Sequence, residues 1–362
     1  MSAPKVTPDA TSAPEVAAGP APGSDWPAVS VVMPMRNEAA RVRESLGAIQ
    51  RQDYPGPLEL VCVDGMSGDG TRDIVTALAA ADPRIRLVDN PSGRTPNAMN
   101  LGIRAASHPL VLRMDAHAVA APDYARRSVA ALEETGAACV GGRWAIVGDG
   151  LVGAAIALAM TSPFGVGTAA WRTAAAPGWT DTVPFGLWRK DRLLSLGGFD
   201  EALTRNQDYE LNYRLRASGG RIWYDPAIQA TYHARRSLGP LARQYLQYGF
   251  WKARVMRLHP RSTRLRHLAA PVFVAGLVVG ALLAAVAGGA WVGLYLAGLG
   301  LYCIAAGVAA IAASRRAESW APLALLPPIF LVLHVAWGAG FWSGFVRFWL
   351  FPEPRPRPGA GP

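Results

Sequence analysis

Cysteine is nearly absent from this chain, and no secretory leader is apparent in it. The three cysteines lie far apart, at Cys62, Cys139 and Cys303, which excludes a disulfide framework and fits a reducing compartment. Residues 1–27 contain no basic segment followed by an apolar one, so we predict no signal peptide there. The same residues are rich in Pro, Ala, Ser and Gly, a composition that predicts a disordered tail.

Acidic residues are missing from a long part of the second half of the chain. Between Pro226 and Ala317 there is no Asp or Glu, although the whole chain has 26 acidic and 36 basic residues. A basic stretch beside apolar segments indicates contact with anionic lipid headgroups on the cytoplasmic side of a membrane. Nucleic acid is the other usual partner of such a patch, but no nucleic-acid motif accompanies it and we predict no nucleic-acid partner. The cations before the apolar segments are Arg235, Arg236, Arg243, Lys252, Arg254, Arg257, Arg261, Arg264 and Arg266.

Apolar residues make up 51% of the chain, and the excess lies mostly after residue 268. Residues 269–287 and 291–313 are uncharged, and each is long enough to cross a hydrocarbon core of about 30 Å. Residues 321–346 form a third apolar segment that either crosses the membrane or re-enters and leaves on the same side; we favour three crossings. The predicted organisation is a disordered tail at 1–27, an α/β domain at 28–232, a basic amphipathic membrane-interface segment at 233–268, a transmembrane region at 269–351 and a disordered tail at 352–362.

Short apolar runs alternate with helical patterns in the first third of the chain, which predicts βαβ units and a parallel sheet. Each predicted strand is followed by a carboxylate or a Gly-rich loop. Because ligands bind beyond the carboxyl ends of parallel strands, we expect these loops to form one site. The predicted strands are 29–35, 58–63, 85–88 and 110–112, and the predicted helices between them are 38–51, 71–81 and 97–106.

Asp115 and His117 follow the fourth predicted strand, two positions apart. Alternate residues of an extended chain point to the same side, so this carboxylate and this imidazole can bind one divalent ion. On these two residues alone, a metal site and a helix-capping Asp beside a surface His both stay open. An imidazole ligand would favour Mn²⁺ over Mg²⁺.

Four motifs together resemble the family 2 glycosyltransferases of the GT-A fold, which is a Rossmann-like mixed-sheet fold of nucleotide-diphospho-sugar transferases. The resemblance covers residues 29–265, and its later part is similar to the succinoglycan-type ExoA subgroup of membrane-tethered enzymes that extend lipid-linked sugars. It implies a GT-A domain followed by C-terminal transmembrane helices. The family motif is more often Asp-x-Asp, so His117 departs from it. The motifs are Pro34-Met35-Arg36-Asn37-Glu38, Val63-Asp64-Gly65-Met66-Ser67-Gly68-Asp69-Gly70-Thr71, Gly93 with Asn97-Ala98-Met99-Asn100-Leu101-Gly102, and Asp115-Ala116-His117.

The resemblance implies a UDP-sugar donor, with glucose as the expected sugar, and a divalent metal, Mn²⁺ or Mg²⁺. It implies that Glu38 and Asp64 contact the uridine and that Arg94 lies near the nucleotide. Asp64 could instead cap the next helix, Arg94 could be a solvated loop cation, and a lone His such as His233 is often structural. The implied nucleotide-sugar-binding residues are Pro34, Arg36, Glu38, Asp64, Gly65, Arg94, Asn97 and Asp115. The implied metal ligands are Asp115, His117 and His233.

Asp208 opens a predicted helix, and a carboxylate at a helix N-terminus tends to stay ionised. A general base for a sugar hydroxyl requires this; the resemblance implies that Asp208 is the base, and helix capping is the alternative. The resemblance also implies that Trp188, Gln207 and Glu210 lie on the acceptor side. Trp188 could equally belong to the core, and Glu210 could be a helix-surface charge. Residues 247–252 do not match the Gln-x-x-Arg-Trp motif of processive synthases, which argues against long-chain polymerisation.

These observations favour a multi-pass enzyme of the cell membrane with its catalytic domain in the cytoplasm. It would transfer a sugar with inversion to a polyprenyl-linked saccharide, in exopolysaccharide or cell-envelope glycan synthesis. A second hypothesis is a polyprenyl-phosphate sugar synthase similar to dolichyl-phosphate-mannose synthases. A third is a non-catalytic sugar-nucleotide-binding membrane scaffold, which would need no general base.

Overall fold

The computed structural model describes residues 26–351 of the chain. The predicted tail at 352–362 and nearly all of the one at 1–27 lie outside the described residues. The described part consists of a mixed α/β domain and a set of long apolar helices that pack against it.

The first half of the α/β domain alternates strands with helices, as the sequence predicts. In chain order its elements are β1 (Val29–Met35), α1 (Val42–Gln50), β2 (Leu58–Asp64), α2 (Thr71–Ala81), β3 (Ile85–Asp89), α3 (Thr95–Ala105) and β4 (Leu110–Arg113). β1 lies between β2 and β4, and β3 lies outside β2, all in parallel. β1 is buried at every position, which explains its apolar sequence, because a parallel strand covered on both faces has no solvent side.

The second half adds shorter strands and makes the sheet mixed. Its elements are β5 (Ala118–Ala120), α4 (Tyr124–Thr135), β6 (Cys139–Val147), α5 (Gly150–Thr161), α6 (Pro163–Val166), α7 (Ala170–Thr173), β7 (Gly178–Thr180), β8 (Leu187–Arg189), α8 (Lys190–Ser195), α9 (Gln207–Ala217) and β9 (Ile222–His233). The sheet order is β3-β2-β1-β4-β8-β6-β9-β5, with β7 paired to β9. β8 runs antiparallel to both β4 and β6. The predicted Rossmann-like mixed-sheet domain is therefore confirmed.

The sheet has a core on each face. Val31 and Met33 pack with α1 on one face, and Val32 packs with α3 on the other. Successive residues of a strand point to opposite faces, so one strand supplies both cores. This packing holds the carboxyl ends of β1 and β4 at a fixed position, side by side.

Four long helices follow the α/β domain: α10 (Leu238–Leu258), α11 (Ala269–Ala287), α12 (Gly289–Arg316) and α13 (Leu326–Phe345). α13 continues into a π-helical turn, Val346–Leu350. By length and composition, three helices of the described chain could cross a membrane: α11, α12, and α13 with its flanking turns. The predicted C-terminal apolar helices are thus present, close to their predicted bounds.

α10 and α13 pack closely through glycines. A Cβ at Gly340 would lie 2.0 Å from the carbonyl oxygen of Leu246, and one at Gly344 would lie 2.3 Å from that of Phe250. Only residues without a side chain let two helix backbones approach this closely. α10 is therefore fixed against α13 over several turns.

α9 is bonded to α10 from the residue before its first turn and from within that turn. The side-chain amide of Asn206, directly before α9, donates to the carbonyl oxygen of Tyr248 at 3.0 Å. Glu210 lies 2.9 Å from Nε2 of His259, the residue after α10. The helix that begins with Gln207 and Asp208 is thus held by α10 as well as by the sheet.

Candidate active site

A cavity of about 550 Å³ opens at the carboxyl ends of β1 and β4. Its other walls are the end of β9, the residues that lead into α9 and the beginning of α10. The sequence predicts a site at this edge, because loops after parallel strands collect there. The predicted site residues that line the cavity are Pro34, Arg36, Glu38, Arg94, Asp115, His117, Gln207 and His233. The predicted base, Asp208, is next to Gln207 in the sequence and is not itself part of the lining.

Arg113 joins two acidic residues that are far apart in sequence. Its Nη2 lies 2.9 Å from Oδ1 of Asp115, and its Nη1 lies 2.5 Å from Oδ1 of Asp208. Arg113 is buried, whereas the side chains of Asp115 and Asp208 are partly exposed, at 18% and 24%. A buried guanidinium whose two ends bind two carboxylates fixes the separation of those carboxylates.

The surroundings of Asp208 make it more basic than an ordinary aspartate. Burial raises the pKa of Asp208, the charge of Arg113 lowers it, and the charge of Asp115 raises it, with a net increase. For a general base, this shift moves the pKa toward neutral pH, where proton acceptance is most effective while the group stays ionised.

His117 is oriented by Glu38. Its Nδ1 donates to Oε1 of Glu38 at 3.0 Å, which leaves Nε2 available as a ligand. Burial lowers the pKa of His117, but the hydrogen bond to Glu38 and the charge of Asp115 raise it by more. A carboxylate behind a histidine is the usual support of a metal-binding imidazole.

The donor set near Asp115 is compatible with a divalent metal that arrives with a diphosphate. Within residues 26–351, no group of three or more His, Cys, Asp or Glu side chains is arranged to hold an ion by itself. A small hard cation such as Mg²⁺ is often held by one or two protein ligands together with substrate phosphates. Asp115 and His117 supply that number, and Nδ1 of His233 is a buried nitrogen with no hydrogen-bond partner in the described part of the chain.

Comparison with known proteins assigns the chain to a family. Residues 30–187 match the family model described as glycosyl transferase family 2. The chain is 33% identical over 321 residues to the succinoglycan biosynthesis protein ExoA of Rhizobium meliloti (strain 1021), covering 88% of this chain and 95% of that protein. The chain belongs to glycosyltransferase family 2. It is a glycosyltransferase, and its fold is the GT-A fold that the sequence predicts.

Two further relatives of this family 2 glycosyltransferase are informative. One is the dolichyl N-acetyl-alpha-D-glucosaminyl phosphate 3-beta-D-2,3-diacetamido-2,3-dideoxy-beta-D-glucuronosyltransferase of Methanococcus voltae, 25% identical over 63% of this chain and 74% of that protein. The other is the solved structure of the mannosyltransferase PcManGT from Pyrobaculum calidifontis in complex with GDP-Man and Mn²⁺. It has a TM-score of 0.63 and 20% identity, and the match covers 89% of each chain. At that identity the likeness concerns the fold.

Three predicted nucleotide-binding residues do not line the cavity of this glycosyltransferase. Asp64 is fully buried, and its Oδ1 accepts a hydrogen bond of 2.6 Å from the Ser67 hydroxyl. Asn97 bonds to Glu201. A Cβ at Gly65 would lie 3.2 Å from the backbone of Gly93, so this glycine lets two loops of the site approach. The structure thus gives these three residues a place in the loops behind the cavity.

Two residues predicted for the acceptor side, Trp188 and Glu210, are buried and do not line the cavity. Trp188 is 0% exposed and lies in a core cluster on the α3 face of the sheet, so it cannot stack on an acceptor sugar. Glu210 is buried and faces away from the cavity, bonded to Arg214 at 2.6 Å and to His259. The Glu210 carboxylate links α9 to the end of α10, because a buried carboxylate needs partners such as Arg214 and His259.

Arg36 and Arg94 were predicted from the sequence, but other arginines of the cavity were not. Arg113 ends β4, two residues before Asp115, yet its link to Asp208 spans 95 positions. Arg205 and Arg235 also line the cavity, and Arg235 was assigned only to the basic membrane patch. Their positions in the sequence could have indicated that they belong to the site. Arg205 precedes the predicted base by three residues, and Arg235 follows His233 by two.

Proposed function

We propose that this glycosyltransferase is a membrane-bound, inverting enzyme that transfers a sugar, with glucose expected, from a UDP-sugar to a hydroxyl of a lipid-linked saccharide. The observation that carries the proposal is that Arg113, in the wall of the cavity, binds both Asp115, which lines the cavity, and Asp208, which follows the lining residue Gln207 in the sequence. One acid lies at the end of a sheet strand, where a nucleotide diphosphate would bind, and the other lies at a helix N-terminus.

The donor end of the cavity is proposed to lie between the loops after β1 and β3. Pro34, Arg36, Glu38 and Arg94 line this end with Asp115, and Asp64, Gly65 and Asn97 support the loops from behind. Asp115 and His117, with His233 as a third candidate, would hold the metal. When bound, the metal would offset the charge of the diphosphate leaving group.

Asp208 is proposed as the general base, with Gln207 beside it on the acceptor side. Asp208 accepts the proton of an acceptor hydroxyl while that oxygen attacks the anomeric carbon from the face opposite the nucleotide. The bond between the anomeric carbon and the diphosphate oxygen breaks in the same step, and the nucleoside diphosphate leaves. A single displacement inverts the anomeric carbon. Arg113 holds Asp208 at a fixed distance from Asp115 throughout.

The relatives support a role in glycan synthesis at a membrane. The Rhizobium meliloti relative is named for succinoglycan biosynthesis, and the Methanococcus voltae relative is named for transfer to a dolichyl-phosphate-linked sugar. We propose an exopolysaccharide or cell-envelope glycan as the product, a polyprenyl-linked saccharide as the acceptor, and the cell membrane as the location. The protein would be multi-pass, with the catalytic domain on the cytoplasmic side.

A donor screen tests the proposal. The full chain in membranes is incubated with UDP-glucose, other UDP-sugars and GDP-mannose, with Mn²⁺ or Mg²⁺, and lipid-linked product is read by mass. Extracted lipid-linked saccharides and bare polyprenyl phosphate are offered in separate reactions. Product on the saccharide from a UDP-sugar supports the proposal. Product only on bare polyprenyl phosphate would identify a polyprenyl-phosphate sugar synthase instead.

The role of Asp208 is tested by Asp208→Asn. We expect turnover to fall by about 10³-fold with UDP binding nearly unchanged, because the amide keeps the shape and loses the basic oxygen. Asp73→Asn is the matched control, since Asp73 is an exposed residue of α2 outside the cavity. Turnover of the Asp208 variant near the control's rate would remove Asp208 as the base.

A further inference from the structure

The cavity holds more positive charge than a donor with its metal would need. Seven arginines line it, against two acidic residues, Glu38 and Asp115. Arg113 is paired with acids, and Arg236 is paired with Asp149 at 2.8 Å. The other five have no ion-pair partner within residues 26–351, and they are Arg36, Arg41, Arg94, Arg205 and Arg235. One divalent cation already offsets most of the charge of a nucleotide-sugar diphosphate, so this excess indicates a second anionic group.

Two of these arginines are held by one face of α10. Nε of Arg205 donates to Oε1 of Gln247 at 3.1 Å, and Nε of Arg235 donates to Oε1 of Gln244 at 3.1 Å. Gln244 and Gln247 are three positions apart, which places them side by side on a helix. The two guanidinium groups, which come from segments 30 residues apart in sequence, are thus directed to one part of the cavity.

The orientation of Gln244 is itself fixed. Gln244 is buried, and its side-chain nitrogen donates to the hydroxyls of Tyr248 at 2.9 Å and Tyr232 at 3.3 Å. Its oxygen must therefore face Arg235. A neutral amide orients the guanidinium without cancelling its charge, whereas a carboxylate would cancel it. The remaining N–H groups of Arg235 and Arg205 are free to bind a phosphate in a fork.

We infer that Arg205 and Arg235, oriented by Gln247 and Gln244, form a binding site for the phosphate group of the lipid-linked acceptor. The inference rests on the proposed function, since it names the acceptor chemistry of the same cavity. Arg205 and Gln207, the residue before Asp208, line the same cavity, so a phosphate bound by Arg205 would enter the cavity near the base that must reach the acceptor hydroxyl. α10 also packs along α13, so the site faces the side from which a membrane lipid arrives.

The test compares Arg235→Gln and Arg205→Gln with Arg243→Gln as the matched control. Arg243 is an exposed residue of α10 outside the cavity, so the control removes one charge from the same helix. Two acceptors carry the same sugar, one on a prenyl diphosphate and one on an alkyl chain without phosphate. We expect the KM for the diphosphate acceptor to rise about tenfold or more in each site variant, equivalent to about 1.4 kcal/mol. The KM for the phosphate-free acceptor and for the donor should stay unchanged.

Direct binding provides a readout that does not need turnover. Farnesyl diphosphate should raise the unfolding temperature of the full chain in detergent, for the native protein and for Arg243→Gln, while farnesol should not. The shift should be lost in Arg235→Gln. If the proposed function fails, because no donor is turned over or because product forms only on bare polyprenyl phosphate, this binding measurement still decides the inference. Equal farnesyl diphosphate binding by all variants, or a raised donor KM in Arg235→Gln, would overturn it.

The lipid headgroups themselves are the competing source of phosphate. The native protein and Arg235→Gln are therefore assayed in nanodiscs of phosphatidylcholine and of phosphatidylglycerol. An acceptor site predicts that the effect of Arg235→Gln on acceptor KM is the same in both lipids. A native acceptor KM that rises with phosphatidylglycerol, and loses this response in Arg235→Gln, would assign the site to headgroups and overturn the inference.

Discussion

Arg113 is the residue that relates the two acids of the site. It is buried, and each end of its guanidinium binds one carboxylate, Asp115 or Asp208. Without it, two carboxylates would face each other in a partly buried position. Like charges in such a position disfavour ionisation of one another. Arg113 therefore keeps the base ionised as well as in place.

We predict that Arg113→Gln lowers kcat at neutral pH by about 100-fold and moves the acid limb of the kcat–pH profile to higher pH. The reason is that Arg113 lowers the pKa of Asp208 against the effect of burial. Removing this charge raises the pKa of Asp208 further, so a larger fraction is protonated and inactive at a given pH. The measurement is kcat across the pH range from about 5 to 9.

Arg189→Gln is the control for this experiment, because Arg189 is an exposed arginine that pairs with Glu133 outside the cavity. Arg113→Lys keeps the positive charge but loses the guanidinium that binds both carboxylates. It should shift the acid limb of the kcat–pH profile less than Arg113→Gln does. An unchanged acid limb in Arg113→Gln would show that the ionisation of Asp208 does not depend on Arg113.

Trp188 gives a prediction about stability. Trp188→Ala should lower the free energy of unfolding by about 3–5 kcal/mol, because it leaves a large cavity in the core. Trp188→Phe should cost much less, since the indole nitrogen has no hydrogen-bond partner to lose. Thermal unfolding in detergent measures both. A raised acceptor KM in a stable Trp188→Phe variant would contradict its assignment to the core.

At the residue scale, the sequence predicted which loops line the cavity but not the surroundings of every residue. Asp115, His117 and Glu38 line the cavity because loops after parallel strands meet at one sheet edge, which local pattern reveals. Trp188 and Glu210 could not be placed in this way. Their environments depend on partners such as Phe199 and His259, which are brought together only by tertiary packing.

At the scale of elements, the predicted strands in the first third agree with β1 to β4 within about two residues. These strands are buried apolar runs with clear turns between them. The predicted helix at 38–51 begins later, at Val42, because residues 36–41 form the turn above β1, where Asn37 has a positive φ of 57°. The order of β5 to β9 was not predictable, since their pairing, parallel between β6 and β9 and antiparallel elsewhere, depends on contacts distant in sequence.

The contact between α10 and α13 is the element-scale feature most sensitive to substitution. We predict that Gly340→Leu lowers the unfolding temperature and the activity together. A side chain there would meet the backbone of Leu246 and push α10 away, and α10 holds the beginning of α9 through Asn206. The measurements are thermal unfolding and turnover in the same detergent.

Gly293→Leu is the matched control, because Gly293 lies in α12 and no atom lies within 4 Å of a Cβ placed there. It adds the same side chain to another long apolar helix. A Gly340→Leu variant as stable and active as this control would show that the close approach of α10 and α13 is not needed.

For the molecule as a whole, the side of the membrane on which α13 ends follows from what it packs against. α10 begins at the active-site cavity and carries the exposed Arg243 and Arg257. Burying such charges in hydrocarbon is costly, so α10 stays on the catalytic side. α13 runs parallel to α10, since Leu246 meets Gly340 and Phe250 meets Gly344.

The other contacts of α13 also place both of its ends on the catalytic side. Near its beginning, Phe330 packs edge-on against Phe164 of α6, with ring centroids 5.1 Å apart. Beyond its end, Phe348 packs against Phe250 of α10. An isolated crossing would carry one end about 30 Å away from the catalytic domain. We therefore predict two crossings, by α11 and α12, with both ends of α13 on the catalytic side, in place of the three that apolar length alone favours.

Single-cysteine labelling tests this arrangement in intact cells. In a Cys303→Ala background, where the remaining Cys62 and Cys139 are buried, one variant carries Gly288→Cys and another carries Phe351→Cys. Gly288 joins α11 to α12, and Phe351 follows the last turn after α13 and is exposed. A membrane-impermeant maleimide should label position 288 from outside and position 351 only after lysis. External labelling at 351 would mean that α13 crosses, and α10 would then have to leave the cytoplasmic surface with it, because the glycine contacts allow no separation of the two helices.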